Sequence, residues 1–142
     1  METHTIAKDI KVFGLQVVRF PQGIQQAFDE LIHAVPEGLN RNYYGISKMD
    51  DKGNFAYYAA VEELVEGEGK KHGFDYYTIE RGKYLTEAVL DWRSKVAGIK
   101  DVFGEMMKSK RYDTTKPCIE WYKNDNEMLC MLKAQAAKKQ PS

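Results

Sequence analysis

The chain has few cysteines, no surplus of charge of either sign and no long apolar run, and each shortage removes a class of protein. Two cysteines among 142 residues, Cys118 and Cys130, stand in apolar strand-like stretches without CxxC spacing, and His4, His33 and His72 are scattered. This argues against a disulfide framework and against a Cys/His zinc site, so neither metal nor cofactor is expected. Twenty-one basic residues balance 21 acidic ones, without the positive excess of a duplex-binding protein, so direct nucleic-acid binding is not expected. Lys8, Asp9, Lys11 and Arg19 interrupt the first segment, and no later run approaches the ~20 apolar residues of a membrane helix. Neither a signal peptide nor a transmembrane span is expected, and the expected location is the cytoplasm.

What remains is an ordinary globular composition, 43% apolar and 30% charged. A chain of this length buries roughly 70% of the surface that its unfolded form exposes, enough for a single self-sufficient core. Residues 10–20 (IKVFGLQVVRF) are rich in β-branched and aromatic side chains and stop at Pro21, which predicts a strand. From Pro21, Ile24, Phe28, Leu31, Ile32 and Val35 fall at helical spacing until Pro36 and Gly38 end the run. Residues 42–49 (NYYGISKM) and 55–64 (FAYYAAVEEL) flank DDKGN, whose turn chemistry predicts a hairpin.

The same order recurs about 72 to 75 positions later as a pattern with little residue identity. FDYYTIERGKYL holds two strand-like pieces around Arg81-Gly82, residues 99–107 are helical by Val102, Phe103, Met106 and Met107, and PCIEWY and MLCMLKA are short strands. The expected fold is therefore α+β, with two βαββ modules in one domain. Module one covers about 8–65, a Gly-rich charged connector 66–73, module two about 74–135 and a solvated tail 136–142. Residues 86–98 are open between helix, strand end and loop.

Several motifs carry less chemistry than they suggest. Gly67, Gly69 and Gly73 precede a strand, whereas a phosphate-cradling loop leads from a strand into a helix, so a flexible connector is expected. Lys108, Lys110 and Arg111 read as a solvated helix end. Glu62 and Glu63 point to opposite sides of a strand and cannot share a proton. Cys118 has no base placed beside it by spacing and reads as a small apolar residue.

The aromatic residues are the unusual feature: nine tyrosines, six phenylalanines and two tryptophans. Tyr43-Tyr44, Tyr57-Tyr58, Tyr76-Tyr77 and Trp121-Tyr122 are neighbours within predicted strands, so each pair gives one ring to either face of a sheet. With helices covering one face, the other face is expected to be open and aromatic. Glu120 is a carboxylate in the apolar strand PCIEWY, where an unpaired charge costs several kcal/mol. Alternation groups Cys118, Glu120 and Tyr122 against Ile119 and Trp121; the latter pair is expected under a helix, which turns Glu120 to the open side. An acid among aromatic faces suits a lipophilic cation, through cation–π attraction and charge neutralisation. A Lys or Tyr partner for Glu120, or a place at a solvated strand end, is the plain alternative.

The strings FAYYAAVEEL, FDYYTIERGKYL, PCIEWY and MLCMLK, with the Ile-x-x-Gly-x-Tyr segment 79–84 and the Pro-x-x-Glu-x-Tyr segment 117–122, resemble the GyrI-like small-molecule-binding family. Its fold also forms the effector-binding domains of AraC-type and MerR-type multidrug-responsive transcription regulators. The resemblance runs from about residue 10 to 134 and implies duplicated βαββ (SHS2-type) modules with pseudo-twofold symmetry. Antiparallel sheets would frame a central aromatic cleft, with helices on the outer face. Glu120 matches the family's pocket glutamate. The chain leaves no room for the helix-turn-helix domain of such regulators and resembles a stand-alone member. It also lacks the family's tryptophan-bearing second helix, for which Trp92 or Phe103 would have to compensate.

The expected function is thus binding of a hydrophobic, cationic small molecule by Glu120, Tyr122, Tyr57 or Tyr58, Tyr84, Trp92 and Phe103. Some stand-alone relatives hydrolyse reactive small ring compounds with a pocket glutamate, which keeps a hydrolase open, with Glu120 as general acid or base. A protein-interaction antagonist with a protein partner, like the family's gyrase-inhibiting namesake, is the third reading.

Overall fold

The computed structural model describes residues 1–36, 38–49 and 52–135. Its eight strands are β1 (Glu2–Ile6), β2 (Ile10–Gln16), β3 (Tyr43–Met49), β4 (Phe55–Glu62), β5 (Asp75–Ile79), β6 (Gly82–Leu90), β7 (Cys118–Tyr122) and β8 (Glu127–Lys133), with helices α1 (Ile24–Ala34), α2 (Glu68–Lys71) and α3 (Ile99–Met107). All strands pair antiparallel in one sheet of order β1-β6-β8-β7-β3-β4-β2-β5. The units β2-α1-β3-β4 and β6-α3-β7-β8 repeat the same chain order and meet edge to edge through β3 and β7. The duplicated modules therefore share one continuous sheet. The hairpin expected between β3 and β4 is present in their register; Asp50 and Asp51 of its turn, like the tail 136–142, lie outside the described residues.

The outer strands are exchanged. β1 leads into β2 yet pairs with β6, while β5 leads into β6 yet pairs with β2. Such an arrangement requires the sheet to curl until its edges approach, and the packing agrees. Ile6 of β1 and Ile79 of β5, from opposite edges, share one buried cluster with Ile46 and Ile119 from the central strands. That inner core contains no helical residue. On the outer face α1 buries Ala27 and Leu31 against β2, β3 and β4, and α3 buries Ile99, Phe103 and Met106 against β6 and β8. Both helices follow the apolar spacing of the sequence. α1 ends where Val35 turns extended (φ −108°, ψ 147°) ahead of Pro36, because the proline ring crowds a helical residue before it.

Three local expectations are corrected. The first strand ends at Gln16 and not at Phe20, and Val18 is 92% exposed. The N-terminal segment ETHTI, too polar to stand out as a strand, forms edge strand β1 because β6 offers it a ladder and only Ile6 is buried. The connector 66–73 is not a free linker. Gly67 and Gly73 take positive φ (83° and 77°), bracketing α2, and Gly69 lies against the Phe13 ring, where a Cβ would meet Phe13 Cβ at 2.6 Å. Within 86–98, β6 runs on to Leu90 and short 3-10 turns fill the rest. Among the described residues no helix is long and apolar enough to cross a membrane.

α2 is pinned by Arg41, whose side chain is 1% exposed. Its Nη1 and Nη2 donate to the two carboxylate oxygens of Glu68 at 2.7 and 2.6 Å, and Nη2 also donates to the Glu62 carbonyl at 2.6 Å. The guanidinium holds the Glu68 carboxyl below the usual carboxylate range. Arg41→Met leaves that carboxylate half-buried without its partner and should cost about 2–4 kcal/mol in urea unfolding at pH 7. A carboxyl with a lowered folded pKa adds stability above its unfolded pKa and loses it as pH falls through the folded value. The variant should therefore also lose part of the acid-side decline in stability.

Candidate functional site

Alternation along the strands divides the aromatic doublets between the two cores. Tyr44, Tyr58, Tyr77 and Trp121 face the inside of the curl, and Tyr43, Tyr57, Tyr76 and Tyr122 face the helices. The expectation of one covered and one open face is thereby corrected: curling buries the face that no helix covers. Ile119 and Trp121 accordingly lie inside the curl and not under a helix, and Glu120 turns to the helix side, where Tyr122 belongs to the cores of both α1 and α3.

Glu120 is 8% exposed and is the buried acid of the described residues. Tyr57 Oη donates to its Oε1 at 2.6 Å and Tyr122 Oη donates to the same oxygen at 2.7 Å, the two phenol oxygens being 3.3 Å apart. No donor among the described residues reaches Oε2, and no Lys, Arg or His among them pairs with this carboxyl. Burial pushes the Glu120 pKa up, and the two phenol hydrogen bonds only partly oppose that. Burial, then the nearby carboxylate, pushes both phenols well above the ordinary tyrosine range. They are fixed donors near neutral pH and not bases. Cys118, on the same face, is pushed up to about 11, and Cys130, paired with Glu120 in the β7–β8 register, is raised as well; burial is the first cause for each. Neither thiol is a nucleophile in this setting. Among the described residues no group of His, Cys, Asp and Glu is arranged to hold a metal ion.

Aromatic edges close over this triad. Phe28 of α1 meets the Tyr122 ring at 5.4 Å and Trp92 meets it at 4.9 Å, both edge-on, while Phe20 lies 5.4 Å from the Tyr57 ring. Trp92 is held from behind: its Nε1 donates to the Asn124 carbonyl at 2.8 Å, and Arg93, stacked on the indole, pairs with Asp125 at 2.9 Å. Glu120 lines neither of two cavities, about 20 Å³ beside Tyr84 and Lys116 and about 370 Å³ beside Lys48 and Phe55. The rings leave Glu120 only 8% exposed in this conformation.

Of the residues singled out from sequence, Glu120, Tyr122, Tyr57 and Trp92 come together. Phe103, on the buried face of α3, lies in the core that Tyr122 and Trp92 also join. Tyr58 and Tyr84 do not join them. Tyr58 stacks on Tyr77 at 4.5 Å inside the curl, and Tyr84, also inside, donates to the Glu80 carbonyl at 2.7 Å. Of the doublet left open between Tyr57 and Tyr58, Tyr57 is the ring beside Glu120, and Tyr84 lies on the face opposite the acid. Sequence reasoning passed over Phe20, Phe28 and Gly45. Gly45 faces Glu120 across β3 and β7 at the centre of their paired stretch. Its signal was a glycine within an otherwise β-forming run, which marks a close approach.

No family model matches the chain, and no curated protein matches it in sequence. Solved structures do resemble it. SAV2435, solved with tetraphenylphosphonium bound, superposes with a TM-score of 0.68 at 12% identity, over 95% of this chain and 93% of that one. An integron cassette protein from the mobile metagenome of Vibrio cholerae gives a TM-score of 0.64 at 13% identity, covering 94% and 95%. A Staphylococcus aureus MU50 protein, provisionally described as a transcription regulation protein, gives 0.62 at 12% identity, covering 95% and 97%. At such identities the likeness shows a shared fold, the GyrI-like fold implied by the sequence resemblance.

A carboxyl whose folded pKa is raised stabilises the protein below its unfolded pKa, and that contribution is lost as pH rises through the folded value. Glu120→Gln, which still accepts from both phenols, should therefore be more stable than wild type at pH 7, by about 1–3 kcal/mol, and equal to it near pH 4. Urea unfolding at the two pH values measures this; equal stability at both would mean that the buried carboxyl is not under strain.

Proposed function

We propose that the protein binds a hydrophobic cationic small molecule on the helix side of the sheet, with Glu120 as the counter-charge. The observation that carries this is the Glu120 carboxyl itself: buried, with both phenols on one oxygen, and without a cationic partner among the described residues. Ionised in that setting it is under-compensated, and a cation of low hydration supplies what is missing at small desolvation cost of its own. A neutral molecule of the same shape does not. Tyr57, Tyr122, Trp92 and Phe103 form the aromatic wall, joined by Phe20 and Phe28, and each ring face offers about 0.5–2 kcal/mol of cation–π attraction. Tyr58 and Tyr84 are left out of the site. That a protein of the same fold was solved with tetraphenylphosphonium supports the ligand class.

The rings must part for such a ligand to enter. Trp92, on a short 3-10 turn anchored to the β7–β8 connection, is the piece of the cover that can move without disturbing a helix. Its fluorescence is then the natural reporter.

The test is a titration with tetraphenylphosphonium, tetraphenylborate and triphenylphosphine oxide, following Trp92 emission in wild type and in Glu120→Gln. Saturable binding of the cation alone, weakened by about 2 kcal/mol or more in the variant, is expected. Because the carboxylate must be ionised to act, cation affinity in wild type should fall as pH drops through the raised Glu120 pKa and be flat in the variant. Equal affinity for cation and neutral analogue would overturn the reading.

A further inference from the structure

Tyr57 and Glu120 do not sit on neighbouring strands. β3 lies between β4 and β7, and two strand spacings amount to about 9.5 Å. To reach the carboxylate, the Tyr57 phenol must lie across the backbone of β3, and it crosses at Gly45. A Cβ built on Gly45 would stand 2.1 Å from Tyr57 Oη, 2.7 Å from Tyr57 Cζ and 2.4 Å from Glu120 Oε1. No side chain fits there while the phenol and the carboxylate keep their places, and Tyr57, 2% exposed, has no solvent to retreat into. The site is asymmetric across a nearly symmetric seam: the middle of β7 supplies the acid and the middle of β3 supplies the vacancy beside it.

We infer that Gly45 is a positioning residue for the ligand site: by lacking a side chain, it lets Tyr57 hydrogen-bond Glu120 and so fixes the carboxylate oxygen left free for a cation. The inference rests on the proposed function for its ligand, but its geometry is testable without one. Gly45 touches no ligand in this reading. It acts mainly through Tyr57, so its effect must shrink when the phenol is gone, although an added Cβ would still press on Glu120 Oε1.

The experiment is a double-mutant cycle of Gly45→Ala and Tyr57→Leu, read in two ways. The first reading is the titration of the Glu120 carboxyl by carbon-13 NMR, assigned against Glu120→Gln, which needs no ligand. The second is tetraphenylphosphonium affinity at pH 7. Gly45→Ala breaks the phenol–carboxylate hydrogen bond, so the Glu120 midpoint should rise by about one pH unit or more and the affinity should fall about ten-fold or more. In the Tyr57→Leu background, where the vacated phenol space lets the Glu120 carboxylate shift off the new Cβ, the same substitution should have less than half the effect that it has with the phenol present. An unaltered Glu120 titration in Gly45→Ala, or an equal effect in both backgrounds, overturns the inference. Should Gly45→Ala fail to fold, folding of Gly45→Ala/Tyr57→Leu supports it, and failure of both assigns Gly45 to the backbone of β3 and overturns it. If wild type binds no tetraphenylphosphonium, the proposed function fails while the NMR cycle still decides the role of Gly45.

Discussion

The arrangement turns on a carboxyl group placed where no water can solvate it well. Glu120 occupies the middle of the strand pair that joins the two halves of the sheet, beneath the point where the α1 and α3 cores meet. A polar group there must be satisfied by the protein or by something brought to it. The protein supplies two phenols, both to one oxygen, and burial, then the nearby carboxylate, raises their pKa values. Around this everything else is apolar: Phe20, Phe28 and Trp92 crowd the tyrosine rings without adding a charge. The group is held in place yet incompletely compensated, a state that costs stability.

The other polar focus follows the opposite rule. Arg41 and Glu68 answer each other bidentately, and Arg41 Nη2 also donates to the Glu62 carbonyl, with Arg41 Nε left without a partner among the described residues. The pair's job is architectural: it converts a glycine-rich stretch into a short helix fixed against β2 and β5. The half-buried Glu68 has a cationic partner and makes structure; the buried Glu120 has only neutral donors among the described residues.

Much of this was legible in the sequence, and the failures have definite causes. Period-two alternation correctly split every aromatic doublet and grouped Cys118, Glu120 and Tyr122, because it is a property of the strand alone. The spacing of Ile24, Phe28 and Leu31, and of Val102, Phe103, Met106 and Met107, gave both long helices for the same reason. Which face the helices cover is not local: it depends on the curl of eight strands, and an inner face buried by curling looks as apolar as one buried by a helix. That single ambiguity left Tyr57 and Tyr58 undivided, grouped Tyr84 with Glu120 from which the curl separates it, and put Ile119 under the wrong cover. β1 was missed because its polar residues are ordered by pairing with β6, far along the chain. α2 was missed because the residue that orders it, Arg41, lies well before it in sequence.

The exchange of the outer strands bears on how the molecule comes apart. Each half donates its leading strand to the far flank of the other, β1 to β6 and β5 to β2. Neither half can therefore melt without stripping a strand from its neighbour, and neither owns a complete set of backbone partners when alone. A duplicated architecture of this kind behaves as one cooperative unit in spite of its internal repetition. Deleting the first nine residues would strip a ladder partner from β6 in the second half of the chain and remove Ile6 from a core that both halves share.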